Sequence, residues 1–469
     1  MWKTFLLLSV GSAAGQDWQG NFTVYSTPIK LRYGEVYNNQ QGPLKLPRHI
    51  VSRYAGDKEM AITGFDVEMV RIGPEGAEDL VKLNDHYLHH YILSMGRVET
   101  MNKVLQHAAE DQMFARMLGN CHGMTRAPMH NFLTSSGDNE DLVTFGSAAG
   151  AEYRHNPQRY DKPFRRVIKK PQVWMPTFHV INTKSNKPEN KSLPYSPLLE
   201  CPCTPQRKID VAAGTIDGQP PEPPIQCSPS FAATGNPSCS LSTYVGGWRC
   251  CEHGVFLIDT DKECSDPECS KEPEDEIFMK YTFYYEDATP ETRHMEPSAC
   301  CDVTGTTQGF ENIEYDVPQC AAGTPPEKCL HVVETVQPVG YYQNHPKAPK
   351  DNHKADDLVD VVFASPHLHV AGLSLELIDN VTNKTLCLVY ASKDNAHGIM
   401  YGNGTQPGNE NGYMTGLLPC VWGGENAPRF QRNHPLRTRA VYDSSRGHTG
   451  VMSLWLMDVS PVKDPDFLV

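Results

Sequence analysis

The residues whose types and spacing could do chemistry are histidines, with one methionine. Leu83–Gly96 reads LNDHYLHHYILSMG and carries His86, His89 and His90. Phe178–Ile181 sets His179 inside an apolar strand-like run, and Ser365–Val370 spells SPHLHV, with His367 and His369 as H-x-H. Met452 lies in the late run GVMSLWL. Neutral imidazoles suit copper or zinc, and a thioether selects Cu(I). Alternate residues of a strand face one side, so His367 and His369 can meet one ion, joined by Met452 in a plausible copper site. His89, His90 and His179 could hold a second copper or a zinc. Adjacent residues of a regular strand point to opposite faces, so His89 and His90 can share an ion only where the backbone bulges or twists. Taken alone, His179 reads as a hydrogen-bonded core histidine and Met452 as core. Their order along the chain, HH then H then HxH then M, sets them apart. Neither H-E-x-x-H nor G-x-S-x-G occurs.

The elements that must position these residues are mostly strands. Met60–Val70, Tyr87–Ser94, Gln172–Ile181, Phe278–Tyr285, Leu358–Phe363, Ala371–Ile378 and Val451–Val459 mix apolar, β-branched and aromatic residues between turn formers. Thr100–Leu118 has helical spacing and stops at Gly119. With 36 Gly and 37 Pro in 469 residues, turns abound and long helices are few. The expected fold is mostly β, two jelly-roll-like β-sandwich domains with a Cys-rich, disulfide-stapled segment between them. The expected ranges are 1–15 signal peptide, 16–195 first β domain with the three-His set, 196–275 Cys-rich loops, and 276–469 second β domain with the His-x-His/Met set.

The cysteines support that division. Of 15, twelve fall in 201–329, Cys121 stands by itself in the first half, and Cys387 and Cys420 are the only two after 330. Zinc is the alternative for Cys201/Cys203 or Cys250-Cys251-Glu252-His253, but the spacing is no C-x-x-C framework, and secretion favours disulfides. Cys387 with Cys420 is the best single pair, and Cys121 is the candidate odd thiol.

MWKTFLLLSVGSAAG at the start reads as a secretory signal peptide, too short to span a bilayer. Five sequons, at Asn21, Asn190, Asn380, Asn383 and Asn403, agree with an extracellular glycoprotein. Asn380 and Asn383 are close enough that one modification is expected there. No later run is long enough for a membrane span. The formal net charge of −14 and the lack of a basic block exclude a nucleic-acid surface.

The order of these residues resembles the copper type II, ascorbate-dependent monooxygenases, the peptidylglycine alpha-hydroxylating and dopamine beta enzymes. That resemblance implies one copper on His89, His90 and His179, which stores an electron. It implies a second on His367, His369 and Met452, the catalytic set, where dioxygen is used to hydroxylate a C–H bond with ascorbate as reductant. The substrate would be a small molecule or peptide. Ser365 stands where the peptidylglycine enzyme has a carboxylate-gripping Arg, and Leu454 and Leu456 stand where it has polar residues. A peptidylglycine carboxylate is therefore not the expected substrate.

Over most of the mature chain the sequence is similar to the stress-up-regulated nodulin family. The matching stretches are YLHHY (Tyr87–Tyr91), EYRH (Glu152–His155), HVINT (His179–Thr183), GGWRCC (Gly246–Cys251), GNENGY (Gly408–Tyr413) and HTGVM (His448–Met452). This resemblance implies fold and secretion rather than a reaction. It leaves open a non-catalytic glycoprotein of the cell wall or extracellular matrix, with or without structural copper, and a secreted metal-binding or redox-sensing protein. His86, His155 and His448 form a second tier, as residues that orient ligands or as ordinary loop histidines.

Overall fold

The computed structural model describes residues 19–110, 141–147, 150–184, 209–216, 218, 227–243, 253–255, 257, 273–298, 301–305, 314–340, 353–404 and 406–462. The expected signal peptide, Cys121 and Asn190 lie outside the described residues.

The chain is mostly β, as its alternating runs require. In Asp275–Asp287 every second residue from Ile277 to Tyr285 is buried, so one face of the strand joins a core. It pairs antiparallel with Gly20–Tyr25 on one side and with Glu59–Ile72 on the other. Phe164–Lys169 extends this first sheet. A second sheet runs in the order Val36–Gln40, Val173–Asn182, His86–Gly96, Leu142–Ser147. Its two central strands are buried at every position, so both faces must be covered. The inner face meets the first sheet through Tyr91, Trp174 and Phe178 around Tyr281, and through Phe65 against Phe145. Part of the outer face lies under the helix Val98–Glu110, whose Met101 and Val104 pack on Val173, Met175 and Leu142. The helix expected over Thr100–Leu118 is thus described as far as Glu110.

The second half repeats the two-layer plan. One sheet places Ser453–Pro461 between Glu296–Pro297 and Leu358–Leu368. The other runs Leu330–Pro338, Pro435–Asp443, Gly372–Asp379, Lys384–Ala391, Gly398–Tyr401, Met414–Leu417. Val361, Ala364, Trp455 and Met457 from the first meet Leu375, Leu377, Ala440 and Tyr442 from the second.

The boundary expected at 275/276 falls inside a strand. Asp275–Asp287 belongs by its pairing to the first half, because its apolar face fits the Phe65–Phe145 core. The staple expected between Cys387 and Cys420 is present, with Cys227–Cys239 and Cys320–Cys329. No helix among the described residues is long and apolar enough to cross a membrane.

The two halves meet where the candidate residues lie. On Leu358–Leu368 a register shift separates Val361 from Phe363. Ala364 and Leu368 then turn to their own core, while Phe363 joins the core of the first half, its ring 5.3 Å from that of Tyr160. By alternation Ser365, His367 and His369 share the Phe363 face. Met452, Leu454 and Leu456 share the matching face of the neighbouring strand, apart from the core. Arg166 of the first half donates to Asp458 of the second at 2.6 Å, both side chains 3 % exposed.

Candidate metal centre

The first histidine set is made by a bulge. Across the antiparallel pair of His86–Gly96 and Val173–Asn182, His179 faces His90, but Val180 faces Leu88. His89 is therefore the extra residue, and a bulge of this kind turns two successive side chains to one side. This is the irregularity that adjacent histidines need in order to meet one ion. His89 stacks on His179 with ring centroids 4.4 Å apart. His90 lies 5.0 Å from His179 and 5.3 Å from His89. One ligand atom from each of the three falls within 4.8 Å of the others, and all three side chains are buried.

The second set follows from strand alternation. The rings of His367 and His369 are 5.1 Å apart, edge to face. Register carries Met452 to the position opposite His369, since His367 faces Leu454 and Leu368 faces Ser453. Tyr442 ties that position down. Its hydroxyl accepts from the His369 backbone N–H at 3.0 Å and donates to the Met452 carbonyl at 2.8 Å. Met452 is buried beside Leu454, which Leu456 flanks.

The two sets touch. His89 and His369 pack edge to face at 5.7 Å. An imidazole bound head-on at about 2.0–2.1 Å has its ring centre about 3.2 Å from the ion, so two rings on one ion lie at most about 6.4 Å apart. Every ring pair given above satisfies that limit, so the five buried histidines form one continuous cluster across the interface.

The donor set fits copper on two grounds. Imidazole nitrogens with one thioether match its preferences. In addition, His367 Nε2 is buried with no hydrogen-bond partner among the described residues, a costly arrangement unless the nitrogen is meant for something else.

The second-tier histidines lie in other contacts. His86 bonds Asp275 through Nε2 at 2.9 Å, next to Arg71, and burial lowers its pKa despite that carboxylate. His155 Nε2 lies 3.0 Å from the Gly408 carbonyl. His448 is buried in a strand pairing with Tyr315–Val317. Asn21, Asn380, Asn383 and Asn403 are all exposed.

Two polar residues at the centre had not been singled out. Glu152 Oε1 lies 2.9 Å from His367 Nδ1. Asn38 sits directly across from His179 in the sheet. Glu152 lies inside the EYRH stretch, which was the available signal for it. Ser365 is committed to neighbours in the first half, donating to Asn156 Oδ1 at 2.8 Å and accepting from Gln158 at 3.4 Å.

Residues 234–461 match the family model described as Stress up-regulated Nod 19. The matched stretch holds His367, His369 and Met452 and leaves out His89, His90, His179 and Glu152. No curated protein matches the chain.

Proposed function

We propose that this chain, of the stress up-regulated Nod 19 family by its residues 234–461, is a secreted copper protein of the dicopper monooxygenase kind. In this reading it hydroxylates a C–H bond with dioxygen and ascorbate. The observation that carries the reading is the bulge at His89, which brings His89, His90 and His179 within one ion's reach and against His369. Copper, when bound, would supply electron storage and dioxygen chemistry that no side chain of this chain can.

The protein's own residues do the rest. His89, His90 and His179 hold one ion; His367, His369 and Met452 hold the other. Tyr442 fixes the spacing between His369 and Met452 through their backbones. Leu454 and Leu456 give the second set an apolar flank that excludes water. Ser365, engaged with Asn156 and Gln158, offers no cation to grip a carboxylate, so the substrate class would be a small molecule or peptide bound by its apolar part.

A second reading is a non-catalytic extracellular glycoprotein in which the same ions are structural. The near-complete burial of the five rings, from 0 to 7 % exposed, favours it. Metal analysis and EPR of the purified mature protein test the first step. Two coppers per chain are expected, falling to one in His367→Ala and to one in His179→Ala; no copper after reconstitution overturns both copper readings. Ascorbate-dependent oxygen uptake that Met452→Ala abolishes would then support the enzyme over the binder.

A further inference from the structure

The His367–Glu152 contact joins residues 215 apart in sequence, one from each half. Both side chains are 1 % exposed. With the Glu152 carboxylate as acceptor, the 2.9 Å contact puts the proton of a neutral His367 ring on Nδ1. The lone pair is then on Nε2, the nitrogen with no partner among the described residues.

Glu152 is held too firmly for this to be a chance approach. It sits in the 3-10 turn Ala151–Arg154, closed by the His155 N–H donating to the Glu152 carbonyl at 2.9 Å. The first half grips the turn through Arg154, which donates to Glu68 at 2.7 Å and to the Val81 carbonyl at 2.8 Å. The second half grips it through the Leu417 N–H, which donates to the His155 carbonyl at 3.1 Å. Gly416 permits the close approach, since a Cβ there would lie 2.7 Å from His155 Cβ.

We propose that Glu152 is the positioning residue of the His-x-His set. By accepting the hydrogen bond of the His367 Nδ1–H, it presents Nε2 as the ligating atom, so the metal site of the second half is oriented by a carboxylate from the first. Partners of this type set the tautomer and ring orientation of a ligating histidine, and their loss typically costs 10–100-fold in metal affinity. The inference rests on the copper reading above, but it can fail separately.

The test is copper titration of wild type, Glu152→Gln and Glu152→Ala, with EPR nitrogen couplings as the readout of which ring nitrogen binds. Glutamine keeps the shape, but its amide can turn to donate to Nδ1 and so drive the proton to Nε2. Expected in Glu152→Gln is a 10–100-fold weaker His-x-His ion, with altered nitrogen coupling, while the three-His ion keeps its affinity. That second ion is the internal control for folding, and circular dichroism confirms it. Two ions bound as tightly as in wild type by both variants overturn the assignment and leave the copper reading standing. Equal weakening of both ions in Glu152→Gln also overturns it, because Glu152 would then act on the fold. Wild type that binds no copper overturns the copper reading and this inference together.

Discussion

Asp302 offers a quantitative test of burial in the sheet that carries His367. It bridges Leu454, which in turn faces His367, so the three lie in one row across adjacent strands. At about 4.8 Å per strand the backbones of Asp302 and His367 are about 10 Å apart along that row. Burial pushes its pKa from 3.8 up to about 7, although Thr304 donates to it through both its backbone N–H and its hydroxyl. Oδ2 has no partner among the described residues. A raised pKa means the folded chain keeps a proton that the unfolded chain releases. Below about pH 4 both forms are protonated and nothing is lost. As pH rises toward 7 the stability declines, and above it the loss is complete. At about 1.4 kcal/mol for each pH unit between the two values, the loss reaches on the order of 4 kcal/mol. Asp302→Asn keeps an acceptor for Thr304 and cannot ionise. Urea unfolding of the oxidised protein should therefore find variant and wild type nearly coincident at pH 4. By pH 8 the variant should be ahead by a few kcal/mol, with the whole difference developing between those values. Parallel stability curves across pH 4–8, or a variant that loses ground as pH rises, would refute the reasoning.

Arg166 and Asp458 form a buried ion pair across the halves, so Asp458→Asn should cost about 3–5 kcal/mol in a thermal or denaturant melt. Replacing both with apolar residues of similar volume should cost far less, because no buried charge is then left unpaired. The Cys387–Cys420 link closes a loop of 33 residues, and its replacement by two serines should cost about 3–4 kcal/mol, read from the urea midpoint. Of the neighbouring sequons, Asn383 has φ of 57° and its Oδ1 accepts from Arg437, whereas Asn380 is exposed at the end of its strand. Mass spectrometry should find the glycan on Asn380, removed by Asn380→Gln and not by Asn383→Gln.

How legible these features are depends on how local their cause is. The strands are legible because alternation is written in neighbouring residues: Gln172–Ile181 and Tyr87–Ser94 match the observed strands to within two residues. The Cys387–Cys420 pair is legible because no other cysteine follows residue 330. The bulge is different. Whether His89 and His90 share a side depends on Val180 pairing with Leu88 rather than His89, a choice made by a strand some 90 residues away. Sequence could state the requirement and not the outcome. Asp275–Asp287 carries a clean period-2 pattern that fits either half; its place is decided by Phe65 and Phe145, far upstream. Glu152 is the extreme case, a single acid whose role depends on a histidine 215 residues later.

The enzyme and the structural-copper readings differ over access to the interface. His369, at 7 %, is the most exposed of the five rings, and His179 is at 0 %. A C–H bond can be attacked only if it comes within van der Waals reach of the reacting atoms. In the closed arrangement Phe363 packs on Tyr160, Ser365 bonds Asn156, and Glu152 bonds His367, so the seam beside the His-x-His set is shut. Turnover therefore requires an opening, at the His369 and Leu454 end where burial is least complete. If only a small fraction of molecules is open, the apparent rate falls by that fraction, so a working enzyme cannot hold the seam at the stability of the whole fold. Hydrogen exchange measures this directly. The Leu417 N–H, which donates to the His155 carbonyl, and the Leu83 N–H, which donates to the Glu410 carboxylate, report the two sides of the seam. In an enzyme both should exchange through local opening, with protection well below that of core amides such as those of Phe283 and Ala440. Exchange of the seam amides only by global unfolding would rule out turnover through this opening and leave copper as a structural link between the halves.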